Sequence, residues 1–283
     1  MKERPVAGYH AGDLLSAARI AIGLLFFQHG AEKLWGFAGG RIDHDFGTMR
    51  GFAGPLEVLG GALIVSGLFT RATAFILCGE MAVAYFRSWA PRGFFPIQNG
   101  GEEAVLFCYL YLWLVAAGGG VWSLDRLIER KPPSQNPGFR QTVASWEPYL
   151  RSVTRMIVGF MFCLHGVRLG FALLPALAGR RLGTTMALDV MPRFVGYWEI
   201  AAGILVFVGL FTRPTAMISS IVAIGAYLYG AAPRGLWPIR NGGNEALLYA
   251  IVFAYLAVCG GGGWSVDVLV RRSPGSQHAA MSA

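Results

Sequence analysis

The most constraining feature of this 283-residue sequence is an internal repeat. The segment APRGFFPIQNGGEEA at 90–104 recurs at 232–246 as APRGLWPIRNGGNEA, an offset of 142 residues. Collinear matches of this length indicate a tandem duplication, so the fold is expected to be built from one unit used twice. Nearer the start the offset is 136, which predicts six extra residues in the first loop of the second copy. The further matches are GLFTR at 67–71 and 209–213, Glu57 and Glu199, WSLD at 122–125 and WSVD at 264–267, and His29-Gly30 and His165-Gly166.

The composition places this repeated unit in a membrane. Hydrophobic residues make up 54% of the chain and charged residues 14%, whereas soluble domains carry about 25% charged residues. Apolar runs near 20 residues are long enough to span a bilayer. The predicted fold class is therefore all-α: a polytopic membrane protein with eight transmembrane helices, arranged as two parallel-topology four-helix bundles. The predicted spans are 14–35, 53–70, 72–90, 103–121, 152–174, 194–212, 214–232 and 245–262.

These spans divide the chain into a first four-helix repeat at 1–125, a linker at 126–150, a second repeat at 151–272 and a disordered tail at 273–283. A net charge of +8 without a dense basic run suits anionic lipid headgroups and argues against nucleic acid. An even number of spans puts both termini and the linker on one face. Basic residues in and beside the linker favour cytoplasmic termini in a multi-pass cell membrane protein.

Ionisable side chains inside membrane spans are expensive and are functional candidates by default. Five polar residues of each copy are expected to converge near one face, where they either form a ligand or proton-relay site or pin the loop to the bundle. Glu80 lies near the middle of its span, and Val222 is its counterpart. It is expected either to face the other copy or to mark a site found in the first copy alone. The ten repeated candidates are His29, Glu57, Arg92, Asn99, Glu103, His165, Glu199, Arg234, Asn241 and Glu245.

Other residue types admit a structural interpretation more readily. The four cysteines lie in apolar runs without a CxxC pair and read as small buried hydrophobes, and a redox dithiol would need two of them to meet in space. Arg19 and Arg71, with Arg155 and Arg213, are expected to satisfy helix-end carbonyls. Aromatic residues near the loop prolines form either an interfacial belt or a slot for a flat ring such as a quinone headgroup. These are Trp89, Phe94, Phe95 and Trp237.

The His-Gly near the end of span one, the glutamate in span two, the GLFTR turn and the PRGxxPIxNGGxE block together resemble the DoxX/DoxD family. The resemblance covers nearly the whole chain, twice, whereas typical members are single four-span units. It implies a membrane protein linked to redox or sulfur chemistry, since one relative is the large membrane subunit of a thiosulfate:quinone oxidoreductase and others belong to oxidative-stress complexes.

Two principal functions follow. The first is a quinone-linked membrane redox component in sulfur or oxidative-stress metabolism, a subunit of a quinone-dependent oxidoreductase, with a soluble or membrane redox partner. The second is a non-enzymatic scaffold or small-molecule carrier for a redox complex. A b-type haem held by His29 and His165, and a transporter, are lesser alternatives. No metal motif and no covalent cofactor motif occurs in the sequence. Quinone is the cofactor that the resemblance implies.

Overall fold

The structure is a computed structural model that describes residues 6–128, 139–170 and 190–272. Helices dominate these residues, and no strand occurs among them. The helices are α1 Val6–Trp35, α2 Met49–Ser66, α3 Thr70–Ala84, α4 Pro96–Asn99, α5 Glu102–Ala117, α6 Leu124–Ile128, α7 Phe139–Ser145, α8 Glu147–Gly170, α9 Val190–Val208, α10 Thr212–Ala226, α11 Pro238–Asn241, α12 Asn244–Cys259 and α13 Val266–Arg272.

The long helices coincide with the predicted spans to within a few residues at most ends. Past Ala84 and Ala226 the chain continues as a π turn and then a 3₁₀ turn, which leads into the repeated segments 90–104 and 232–246, here called the loop blocks. The predicted linker, 126–150, overlaps the end of α6, contains α7 and includes the start of α8 at Glu147. The loop expected to hold the six extra residues and the predicted tail lie outside the described residues.

Three described helical stretches are long and apolar enough to cross a membrane: Ala11–Trp35, Glu147–Gly170 and Thr212–Arg234. Phe194–Val208 and Asn244–Cys259 are apolar but shorter. The 16 residues of α12 span about 24 Å at 1.5 Å per residue, somewhat less than a hydrocarbon core of about 30 Å. The part of the chain that the structure describes is therefore all-helical, with three helices suited to crossing a membrane.

The helices pack as a closed ring in which the two halves share neighbours. Around the ring α1 packs on α2, α2 on α3, α3 on α5, α5 on α8, α8 on α9, α9 on α10, α10 on α12, and α12 on α1. The fourth long helix of each half, α5 or α12, packs more extensively on the first helix of the other half than on its own. Since α5 and α12 also touch each other, the halves form one helical body.

Small residues bring the first two long helices of each half close together. A Cβ atom added to Gly203 would meet the backbone of Gly159 and Cys163, and one added to Gly166 would meet Gly196. Such contacts let backbones approach in a membrane, where helix association depends on packing and hydrogen bonds. This close approach fixes the partner of each histidine-bearing helix.

The end of the body that holds the tight turns is organised by buried arginines. The guanidinium of Arg19 is fully buried and donates to the carbonyls of Ile64, Val65, Gly119 and Trp122. Since these carbonyls lie at helix ends or in the following loop, the arginine supplies donors that the helix lacks. In the second half Arg155 makes the equivalent set of bonds to Val206, Phe207, Gly261 and Trp264.

The WSxD motif has a matching structural task. The carboxylate of Asp125 accepts from the backbone N–H groups of Phe69 and Thr70 at 2.7 and 2.8 Å, where Phe69 has a left-handed backbone. Asp267 accepts in the same way from Phe211 and Thr212. The GLFTR turn and the WSxD motif therefore recur because they build the tight turn.

Candidate functional site

Near the opposite end, a group of polar side chains surrounds the histidine of α1. We call His29, Lys33, Glu57, Glu103 and Asn244 the first cluster. Glu57 is 3% exposed and forms an ion pair with Lys33. The Nε2 atom of His29 lies 3.0 Å from Glu103 Oε1 and 3.1 Å from Asn244 Nδ2. A protonated Nε2 donates to the carboxylate and an unprotonated one accepts from the amide, so protonation selects the partner.

The second cluster comprises His165, Arg168, Glu199, Glu102 and Glu245. Its histidine uses the other ring nitrogen, since Nδ1 lies 2.9 Å from Glu199 Oε2. Arg168 lies 3.9 Å from Glu102, whose side chain is 4% exposed. Glu245 lies within electrostatic range of Glu102, His165 and Arg168. The pairing therefore differs between halves: the α2 glutamate binds a lysine, whereas its counterpart in α9 binds a histidine.

Both clusters are assembled from the two halves together. Glu103 of α5 contacts His29 of its own half, while its neighbour Glu102 faces Arg168 of the other half. In α12 Asn244 reaches across to His29. The sequence analysis predicted that each group of five lies within one copy. In the structure the consecutive residues Glu102 and Glu103 belong to different clusters, because their side chains point about 100° apart around the helix.

Four predicted site residues lie in the loop block and outside the clusters. The amide of Asn99 donates to the carbonyl of Gly93 at 2.9 Å and its oxygen accepts from Gly101 N–H at 2.8 Å. Asn241 makes the equivalent pair of bonds. Both asparagines therefore fasten the loop to the start of the next helix. The guanidinium groups of Arg92 and Arg234 are exposed and form no hydrogen bond or ion pair with any residue that the structure describes.

Glu80 lies inside the first half. Both of its carboxylate oxygens are buried and accept no hydrogen bond from the described residues. Its electrostatic neighbours are Glu57, Lys33 and the hydroxyl-bearing Tyr111, all of the first half. At the equivalent positions the second half has Val222 and Phe253, which are apolar. Of the two expectations for Glu80, the structure favours a feature found in the first half alone.

Among the residues of the clusters, the sequence-predicted candidates do not include the cations Lys33 and Arg168, nor Glu102 and Asn244. A helical signal was present, because Lys33 follows His29 by four residues and Arg168 follows His165 by three. Residues at these spacings share a helix face. Neither cation recurs at the equivalent position of the other copy. Leu169 is the counterpart of Lys33, and Glu32 is the counterpart of Arg168.

The clusters hold more carboxyl groups than fixed cations. The second has Glu102, Glu199 and Glu245 against Arg168, and the first has Glu57 and Glu103, with Glu80 nearby, against Lys33. A full set of carboxylates in a low-dielectric interior is costly unless each one is paired with a cation or a hydrogen-bond donor. No group of three or more metal-ligating side chains occurs in the described residues. This arrangement suits the uptake and release of protons.

An aromatic cavity of about 430 Å³ opens beside the loop block, between α3, α5 and α8. Phe94 and Phe95 line it, as the sequence predicted for a ring slot, whereas Trp89 and Trp237 do not. Tyr85 connects it to the loop, since its hydroxyl accepts from Asn99 Nδ2 at 3.2 Å. The remaining aromatic wall consists of Phe86, Tyr109 and Phe160. A larger cavity of about 660 Å³ lies at the tight-turn end, where Arg71 and Asp125 already hold helix ends.

Comparison with known proteins assigns the chain to a family. The DoxX family profile matches residues 14–88. An uncharacterized protein of Haemophilus influenzae is 41% identical over 125 residues, which cover 41% of this chain and 92% of the relative. The inner membrane protein YqjF of Escherichia coli is 30% identical over 124 residues, covering 40% of this chain and 91% of the relative. No solved structure matches. These matches, with the all-helical fold and its apolar helices, show that the chain is a membrane protein and belongs to the DoxX family.

Proposed function

We propose that this protein is a quinone-linked redox component of the cell inner membrane, in which the two clusters exchange protons with a bound quinone. The observation that carries the proposal is the geometry of His29, whose Nε2 faces a carboxylate and an amide at nearly equal distances. A group that changes partner on protonation can pass a proton without rearranging the helices. Quinone reduction consumes two protons for two electrons, so a quinone site needs such groups.

The aromatic cavity supports the same proposal. Quinones travel within the bilayer, and the exposed rings of Phe86, Phe94 and Phe160 at the cavity edge suit a lipid-facing entrance. Ligand sites generally combine an apolar lining with a few polar groups. Tyr85, held by Asn99, supplies a polar group at the cavity wall.

The proposal includes the membrane arrangement. All eight long helices cross the bilayer, in two halves of parallel topology, with both termini and the linker in the cytoplasm. The basic residues Arg126 and Arg151, which flank the linker, agree with this orientation. Labelling of single cysteines introduced at Arg126 and at Arg92 with a membrane-impermeant maleimide tests it in intact cells. Labelling at Arg92 alone is expected, and labelling at Arg126 alone would reverse the orientation.

Quinone binding is tested on the purified full chain. Solvent extraction and chromatography should recover quinone, and decylubiquinone should raise the unfolding temperature. The double variant His29→Ala with His165→Ala should weaken this stabilisation, whereas Arg126→Ala, at the other end of the body, should leave it unchanged. If no quinone is extracted and the analogue does not shift the unfolding temperature of the unmodified protein, the proposed function is wrong.

A second candidate, a non-enzymatic scaffold or carrier for a redox complex, has one observation in its favour. The loop blocks present unpaired Arg92 and Arg234 beside the exposed apolar side chains Phe94, Leu236 and Trp237, a combination common in docking surfaces. Affinity purification should then recover a stable redox partner. Loss of that partner in Arg92→Ala with Arg234→Ala, together with activity that survives the double histidine variant, would favour the scaffold.

A further inference from the structure

Two cysteines of the first half meet inside the helical body. Cys78 lies on α3 and Cys108 on α5, and their Sγ atoms are 3.7 Å apart. The Cys108 thiol also lies 3.5 Å from the carbonyl oxygen of Cys78, so the two helices are in close contact at this level. A disulfide has an S–S length of about 2.05 Å, so rotation of the thiols must shorten the separation by about 1.7 Å.

The second half lacks this pair. The residues that correspond to Cys78 and Cys108 are Ser220 and Ala250. Ser220 Oγ donates to the carbonyl of Ala250 at 2.9 Å, so the same helix contact exists without sulfur. Packing between these helices therefore does not require two cysteines. The remaining cysteines, Cys163 and Cys259, lie on other helices, α8 and α12.

The cysteine pair lies beside the aromatic cavity, because Cys108 forms part of its wall. Part of the lining of this cavity also differs between the two junctions of the halves. At four of the six aromatic positions of the cavity, the pseudo-symmetric positions of the other junction carry aliphatic side chains, whereas Tyr85 and Phe95 correspond to the aromatic residues Tyr227 and Trp237. The replacements are Leu228 for Phe86, Leu236 for Phe94, Ile251 for Tyr109 and Leu24 for Phe160. The two thiols thus lie beside a ring-sized aromatic cavity at this junction, and the other junction has serine and alanine in their place.

We propose that Cys78 and Cys108 are a redox-active dithiol that reduces a quinone bound in the aromatic cavity. In this step both S–H bonds break and one S–S bond forms. Two electrons and two protons leave the thiols, and the two carbonyl oxygens of the quinone become the hydroxyl groups of a quinol. The disulfide is reduced again by an external dithiol donor. The choice of quinone as the acceptor rests on the proposed function, whereas formation of the disulfide does not.

The disulfide is tested first, on the full chain in lipid nanodiscs. After oxidation with diamide, free thiols are blocked with N-ethylmaleimide and the protein is digested for mass spectrometry. A peptide pair linked through Cys78 and Cys108 is expected, and dithiothreitol should release it. Recovery of both cysteines as maleimide adducts, from protein that remains folded, would overturn the proposal.

Matched variants come from the second half of the chain itself. Cys78→Ser and Cys108→Ala introduce the residues found at Ser220 and Ala250, so the helix contact should survive while the linked peptide disappears. Cys163→Ser and Cys259→Ser should retain it. Persistence of the linked mass in either of the first two variants would refute the assignment.

The acceptor is tested with decylubiquinone, whose ring carbons are fully substituted and do not alkylate thiols. Under anaerobic conditions the dithiothreitol-reduced protein, freed of reductant, should convert one quinone per chain to quinol while losing two thiols. Cys108→Ala should convert none. If decylubiquinone raises the unfolding temperature of the unmodified protein but is not reduced, this inference fails and the proposed function stands. If it neither binds nor is reduced, both fail.

Discussion

Replacing Lys33 with leucine should destabilise the protein, because Glu57 loses the cation with which it forms its ion pair, and Arg50 acts on it only from a greater distance. Glu57 is 3% exposed and its ion-pair partner Lys33 has a side chain 14% exposed. The second half carries Leu169 at the equivalent position, so leucine suits the helix there. In that half the glutamate is paired instead with His165.

The magnitude follows from the burial of the pair. Removing one partner of a buried ion pair costs about 3–5 kcal/mol because the other charge stays buried and uncompensated. His29 lies within electrostatic range of Glu57 and can replace part of the lost interaction. The expected loss in the free energy of unfolding is therefore at the lower end of this range. A loss of about 3 kcal/mol corresponds to a folding equilibrium about 100-fold less favourable.

Unfolding by sodium dodecyl sulfate in mixed micelles, followed by circular dichroism, measures this loss. The double variant Lys33→Leu with Glu57→Gln should recover at least half of it, since no buried charge remains. The double-mutant cycle separates the pair from the packing of either side chain. A loss below about 1 kcal/mol for Lys33→Leu would refute the view that this pair is buried and mutually dependent.

Three further predictions concern the stability of the fold. Arg19→Met and Arg155→Met should each lower the free energy of unfolding by about 3 kcal/mol, since each variant leaves several helix-end carbonyls without a donor. Arg126 is exposed, so Arg126→Met should change the free energy of unfolding by less than about 0.5 kcal/mol. Equal effects for all three variants would contradict this prediction. Asn99→Ala should cost about 1–2 kcal/mol and speed hydrogen exchange in the loop block, and unchanged exchange would count against its role. Gly203→Leu should lower the unfolding temperature, because its Cβ would meet backbone atoms of α8, and an unchanged temperature would disprove that close approach.

The sequence predicted the helices well because their signals are local. Apolar runs, the tight turn before Arg71 and the glycines after Ala117 mark where helices begin and end, and the structure places them within a few residues. The sequence predicted less well how the helices pair. The contact of α5 with α8 and of α12 with α1 depends on complementary surfaces that are distant in the chain, and no periodicity encodes them.

The residues of the candidate site were predicted in part, because some of their signals are also local. His29, Glu57 and Glu103 were identified because charges in apolar helices stand out, and the structure brings each of them into the first cluster. Asn99 repeats as faithfully as these residues, yet its hydrogen bonds serve the loop. Repetition alone does not separate binding from structural residues, since residues of both kinds can recur in the two halves.

By itself the sequence indicated the helical membrane character, the repeated segments and the resemblance to the family, because hydropathy and motif spacing are properties of a linear chain. The tertiary structure decided which side chains meet. It divided Glu102 and Glu103 between two clusters and brought Cys78 within 3.7 Å of Cys108. These outcomes depend on the rotation of each helix about its axis and on the choice of neighbour, and both are settled by packing across the whole body.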